Sequence, residues 1–182
     1  TPESYLESMR KVVALLPDKQ GQKIWDAGCG TGLLLLFLEN AVRQGMIYYG
    51  SDLLSSGLSQ ARIRARKLMV SDRVVCVQSD ITVAPVFKEN SLDIVVAHFS
   101  IYTIHKNDKQ KQVLKNMCRV LKPGGLLIVC CPSENYDAGK IIEESCEFLR
   151  ARKGLLQKAI KRIFFYPFTK GMGLNFIQKQ LQ

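Results

Sequence analysis

The stretch that most constrains this chain is Lys23-Ile-Trp-Asp-Ala-Gly-Cys-Gly-Thr-Gly-Leu33. Ile24 and Trp25 read as the end of a buried strand, Asp26 closes it, and glycines follow at positions 28, 30 and 32. An apolar run over residues 33–38 comes next and is expected to form a helix ending at Glu39-Asn40. Strand, glycine turn and helix in that order make an opening suited to a nucleotide-like ligand. Glycine lets the backbone approach a ligand and take φ > 0 without a Cβ clash. Free N–H groups at the helix start then face that ligand.

Spacing narrows the ligand. A dinucleotide fingerprint needs G-x-G-x-x-G, the last glycine serving helix–strand packing. Gly28 and Gly30 demand glycine at 33, and residue 33 is Leu. A nicotinamide-dependent oxidoreductase is therefore a weak reading. Asp26 suits a cation better than a pyrophosphate, and a sulfonium bearing an α-ammonium group is such a ligand. The string Asp26-Ala-Gly-Cys-Gly-Thr-Gly32 resembles motif I of the class I S-adenosylmethionine (SAM) dependent methyltransferases. An ordinary glycine turn in an α/β protein is the competing reading. Under the resemblance, Asp26, Gly28, Cys29, Gly30 and Gly32 are expected to bind the cofactor, with S-adenosylhomocysteine as product and no metal required.

Further along, residues 46–50 form a second strand that ends in Ser51-Asp52. Asp52 lies 24 positions beyond Gly28, the separation expected of an acid that accepts hydrogen bonds from ribose hydroxyls. A carboxylate can accept from two neighbouring hydroxyls at once. A helix N-cap role for Asp52 or Ser55 competes with this; Leu53 is grouped with Asp52 as a cofactor neighbour. Residues 74–78 read as a third strand, followed by Asp80 and Ile81. The resemblance implies that Asp80 reaches the adenine amino group and Ile81 contacts the ring; a simple turn Asp is the alternative.

Residues 92–97 read as the fourth strand, with His98, Tyr102 and His105 beyond it. Strand ends in open parallel sheets face the ligand crevice, so His98 and Tyr102 are candidate catalytic or cofactor-contacting residues. A hydrogen-bonded wall residue is the plainer role for His98. An amphipathic helix over 109–121 stops at Lys122-Pro-Gly-Gly125, and residues 126–131 form a fifth, near-continuously apolar strand, as expected of a strand buried on both faces. The string from Val120 to Ile128 resembles the segment leading into strand five of small-molecule methyltransferases of the ubiquinone/menaquinone-biosynthesis type. Five strands alternating with helices imply an α/β doubly wound, mainly parallel sheet of order 3-2-1-4-5. A helix over 3–16 is expected to cover the core, with Tyr5 able to line the site.

At 182 residues one domain is the default, and the length suffices for a large core. The apolar runs are far too short to span a bilayer, and no signal peptide opens the chain. The chain begins at Thr1, so a fragment, a trimmed product or a processed one is expected. Six cysteines show no C-x-x-C pair or zinc spacing, which points to a reduced, cytoplasmic setting.

The net charge of +10 is concentrated: residues 149–182 hold eight basic side chains and no acid. Residues 1–132 are expected to be the SAM-binding core and 133–182 a basic helical extension, truncated before the family's sixth and seventh strands. The basic helix over 153–164 is either a cover whose apolar stripe packs on the sheet, a peripheral membrane or lipid contact, or, least favoured, a nucleic-acid contact. No Asn/Asp-Pro-Pro-Tyr or Pro-Cys follows strand four, which argues against nucleic-acid methylation in those styles. The leading expectation is a methyltransferase acting on a small organic acceptor by in-line displacement. The alternative is a methyltransferase-like module that binds SAM or a partner without turnover. Acceptor and oligomeric state are not encoded legibly.

Overall fold

The computed structural model describes residues 3–17, 20–83, 86–104 and 106–132. His105, the expected extension over 133–182 and the family's strands six and seven lie outside the described residues.

Five strands form one parallel sheet: β1 (Lys23–Ala27), β2 (Ile47–Asp52), β3 (Val74–Gln78), β4 (Leu92–His98) and β5 (Leu121–Cys130), in the order β3-β2-β1-β4-β5. The order 3-2-1-4-5 expected from sequence is the one observed. Successive side chains alternate between faces of a strand, so β1 sends Ile24 into one core and Trp25 and Ala27 into another. The first core lies beneath α1 (Glu3–Ala14), α2 (Leu33–Phe37), α3 (Glu39–Arg43) and α4 (Ser55–Lys67). The second lies beneath α5 (Asn107–Val120), which buries Val113, Leu114, Met117 and Val120 at helical spacing. Among the described residues no helix is long and apolar enough to cross a membrane.

Three expectations are revised. The helix after the glycine loop does not end at Glu39-Asn40. It breaks at Leu38 (φ −97°, ψ 1°) and resumes as α3, because Val42 is fully buried in the same core as Leu34 and Leu35. Strand five starts earlier than residue 126: Leu121 already pairs with Leu92, the Lys-Pro-Gly-Gly turn bulges out, and pairing resumes at Ile94↔Leu126. That bulge also shifts β4 so that Leu92 and Val95 share a face. Finally, β5 is less buried than its apolar run suggests. Only Leu121 and Ile128 are buried, since β5 is the sheet edge among the described residues.

Candidate functional site

All the expected site residues lie at the C-terminal ends of the parallel strands or in the segments that leave them, which is where crevices form in doubly wound sheets. The site is assembled from β2 inwards. Ser51, in register with Ala27, accepts two hydrogen bonds at its carbonyl, from Gly28 and Cys29 N–H at 2.8 Å each. Its hydroxyl accepts the Trp25 indole N–H at 2.8 Å. The next residue continues the clamp: Asp52 Oδ2 accepts Gly30 N–H at 2.7 Å and Oδ1 accepts Leu54 N–H at 2.9 Å. The loop over 28–30 is thus laced to β2 by its own N–H groups, rather than presenting them to a ligand.

Each glycine has a separate steric reason. Gly28 takes φ +81°, and a Cβ there meets Ser100 Cβ at 2.4 Å. Gly32, at φ +69°, has Ala61 Cβ at 2.8 Å. Gly30, at φ +53°, has open space where its Cβ would point. Gly28 and Gly32 serve packing, while Gly30 between them leaves the loop bare on an unfilled side. Gly57 in α4 completes the arrangement, since a Cβ there meets the Gly30 carbonyl oxygen at 2.8 Å.

Asp26 sits behind this loop, only 2% exposed. Tyr48, fully buried on β2, donates its hydroxyl to Asp26 Oδ2 at 2.6 Å. Burial pushes the Asp26 carboxyl up to about 7. Tyr48 pulls the other way, and the Asp52 carboxylate adds to the rise. Cys29 turns its thiol inward beside Gly50, and burial pushes that thiol well above its usual range. Leu53 is 61% exposed at the start of the crevice edge. Asp80 is exposed, and its Oδ1 accepts Thr82 N–H at 2.8 Å. The backbone N–H of Thr82 foremost, then its hydroxyl, holds this carboxyl below its usual range. Ile81 packs against the second core.

At the end of β4 the chain turns sharply, with Phe99 at φ 53°, a conformation that is costly for a bulky residue and concentrates at functional sites. His98, 5% exposed, lies on the sheet face covered by α1. The Tyr5 ring meets its imidazole edge-on, with centroids 4.8 Å apart, and Phe99 packs at 4.5 Å. Ser8 Oγ lies 2.8 Å from His98 Nε2. Burial lowers the imidazole to about 4. Tyr102 stands next to Phe99, with centroids 6.2 Å apart, and burial raises its hydroxyl.

The structure therefore brings Asp26, the glycine loop, Asp52 and His98 to one edge of the sheet. Patterning alone did not single out Tyr48, Ser51, Gly57 or Ser8. Only Gly57 carried a sequence signal, because a glycine inside a helix costs about 0.5–1 kcal/mol and asks for a reason.

A five-stranded parallel sheet of this order, with a glycine loop after β1 and a carboxylate ending β2, defines the Rossmann-like class of α/β domains. Within that class, the methyltransferase domain family matches residues 18–179. The chain belongs to this family, and the resemblance to class I SAM-dependent methyltransferases holds. It is 35% identical over 163 residues to the methyltransferase GfsG of Streptomyces halstedii, covering 87% of this chain and 54% of that protein. It is 35% identical over 111 residues to the ubiquinone/menaquinone biosynthesis C-methyltransferase UbiE of Haemophilus ducreyi, covering 61% of this chain and 41% of that one. A solved SAM-dependent methyltransferase from Aquifex aeolicus shares the fold at a TM-score of 0.58 and 18% identity, covering 83% of this chain and 87% of that chain. The chain spans about half the length of the curated relatives it matches.

Proposed function

We propose that the chain binds SAM across the C-terminal ends of β1, β2 and β3, and that the protein transfers its methyl group to a small organic acceptor. The observation that carries this reading is the Asp52 clamp on Gly30, which leaves the loop bare on its open side. The residues present fit the group. A carboxylate has about four acceptor positions; two on Asp52 are taken by Gly30 and Leu54 N–H. The other two suit neighbouring ribose hydroxyls. Gly30 permits close approach, and in this reading Asp80 and Ile81 contact the adenine, as the family resemblance implies. Asp26 supplies negative charge behind the loop, where a cationic ligand favours its ionised form.

SAM supplies an electrophilic methyl group on sulfur, displaced in line. The chain's contribution is to hold the reacting groups in line, an effect worth roughly 7–11 kcal/mol in favourable cases. In this reading His98, the last residue of β4, and Tyr102, which follows it, face the acceptor. The small-molecule acceptor is supported by the names of the relatives, which include a ubiquinone/menaquinone biosynthesis C-methyltransferase and a 27-O-demethylrifamycin SV methyltransferase.

Calorimetric titration with S-adenosylhomocysteine tests the reading, with NADH as control and Asp52→Ala as second protein. Saturable binding of the first ligand alone, weakened by the substitution, is expected. A folded sample that binds neither ligand overturns the assignment.

A further inference from the structure

The turn that leaves β4 is held in a shape it would not keep alone. Phe99 takes φ 53°, which is costly for a bulky residue and persists only where the surroundings enforce it. Two grips enforce it. On one side, the β1–β4 register ends at Asp26↔Val96, one residue short of Ala27. The Ser100 hydroxyl takes up the Ala27 carbonyl there at 2.6 Å. Ser100 Cβ also fills the space beside Gly28, 2.4 Å from where a Cβ of residue 28 would sit. On the other side, Gln110 of α5, only 2% exposed, donates from Nε2 to the Ile104 carbonyl at 2.6 Å and the Ile101 carbonyl at 3.3 Å. Both partners are carbonyl oxygens, which only accept, so the orientation of the amide is fixed. Its Oε1 is left buried with no partner. A methionine of similar length would fill the space without that penalty; what the amide adds is its two donors. Between the grips, the Thr103 N–H and hydroxyl both donate to the Ser100 carbonyl, at 3.3 and 2.7 Å.

We propose that Ser100 is a positioning residue for the cofactor loop, and that Gln110 sets it from α5 through the turn. This rests on the SAM reading above. Ser51 and Asp52 hold the loop from β2, and Ser100 is the matching hold from the β4 side. The loop is thereby fixed from both strands that flank β1. Phe99 and Tyr102 belong to the same hydrogen-bonded turn. One unit therefore fixes the cofactor loop and the segment assigned to the acceptor side relative to each other. In-line transfer depends on that relative placement.

Amide hydrogen exchange of the ligand-free chain, read residue by residue, reports local opening. Ser100→Ala removes the hydroxyl and keeps Cβ. Gln110→Met keeps the length and removes both donors. Each is expected to speed exchange at the Gly28, Cys29 and Gly30 amides by roughly 2- to 10-fold, the worth of one hydrogen bond. The core amides of β1 and β4 are expected to keep the parent's rates. Parent rates at the three loop amides in Ser100→Ala overturn the proposal. Faster exchange confined to residues 101–104 in Gln110→Met overturns the role of Gln110. If Gln110→Met loosens the core as well, Thr103→Val carries the same test, since Thr103 is exposed and the change deletes its hydroxyl bond to Ser100. Calorimetry with S-adenosylhomocysteine then compares the parent, Ser100→Ala, Gln110→Met and the double variant. Each single change is expected to lose about 2- to 10-fold in affinity, and the double variant no more than the worse single, because both act through Ser100. Losses that multiply overturn the line from Gln110 to the loop. A parent that does not bind S-adenosylhomocysteine counts against the SAM reading, while the exchange result on the ligand-free chain stands by itself.

Discussion

Tyr48 donates to Asp26 at 2.6 Å from one central strand to the next, and both side chains are closed off from water. The pair sets a pH dependence whose sign is fixed. The folded Asp26 carboxyl titrates near 7 against an ordinary 3.8, with burial as the main cause. A folded value raised above the unfolded one contributes stability that is complete below about pH 4 and lost as pH rises through about 7. The denaturation midpoint of the ligand-free chain should fall between about pH 4 and 7 and level off above that, and Asp26→Asn should flatten that fall. Tyr48→Phe removes the donor that favours the anion. It should cost about 1.5–3 kcal/mol at pH 8, and less at pH 5, where a neutral bond is lost. Midpoints that ignore pH in the parent chain would rule out this account.

Asp52 holds the glycine loop through Gly30 N–H and starts the turn into α4 through Leu54 N–H. Asp52→Ala should weaken S-adenosylhomocysteine binding by about 10- to 100-fold, the scale of one charge-assisted hydrogen bond to the loop. Asp52→Asn keeps one acceptor oxygen and should lose less. Isothermal calorimetry separates the two variants.

The loop glycines should fail in different ways. Gly28→Ala combines a left-handed residue, about 1–2 kcal/mol, with overpacking against Ser100 worth roughly 1–3 kcal/mol more. Ser100 cannot yield freely, because its hydroxyl donates to the Ala27 carbonyl at 2.6 Å. Gly30→Ala carries the left-handed cost alone, since its Cβ enters open space. The expected melting order is parent, Gly30→Ala, Gly28→Ala. Gly30→Ala should stay folded yet bind S-adenosylhomocysteine poorly. Unchanged affinity in that variant puts the ligand elsewhere.

Gly57→Ala offers a test of sign. In an exposed helix the change stabilises by about 0.5–1 kcal/mol. Here the added Cβ meets Gly30 oxygen at 2.8 Å and Gly30 carbon at 3.0 Å. The substitution should lower the melting temperature and weaken ligand binding together. A melting temperature above the parent's would mean that α4 does not press on the loop.

The strands, the glycine loop and the places of Asp26, Asp52 and His98 were legible in the sequence, because each depends on a hydrophobic period, a glycine string or a separation along one chain. Sheet order followed from the alternation of strands with helices, and Asp80 was singled out by the family resemblance. Residues 126–131 looked buried on both faces because period alone cannot say which strand lies at an edge. The helix over 33–38 was cut short because Glu39-Asn40 reads as a terminator, whereas burial of Val42 carries it on to Arg43.

What the sequence by itself determined is the sheet, its crevice and the residue types that line it. What only the tertiary structure decided is which atoms of those residues remain available. Asp26 is spoken for by Tyr48, 22 positions away, and Gly30 by Asp52 across the same distance in sequence. Ser8 and His98, 90 positions apart, meet at 2.8 Å. No periodicity records such pairs. A hydrogen bond depends on two side chains meeting in space within about 3 Å, and that meeting is set by how α1 and the strands pack.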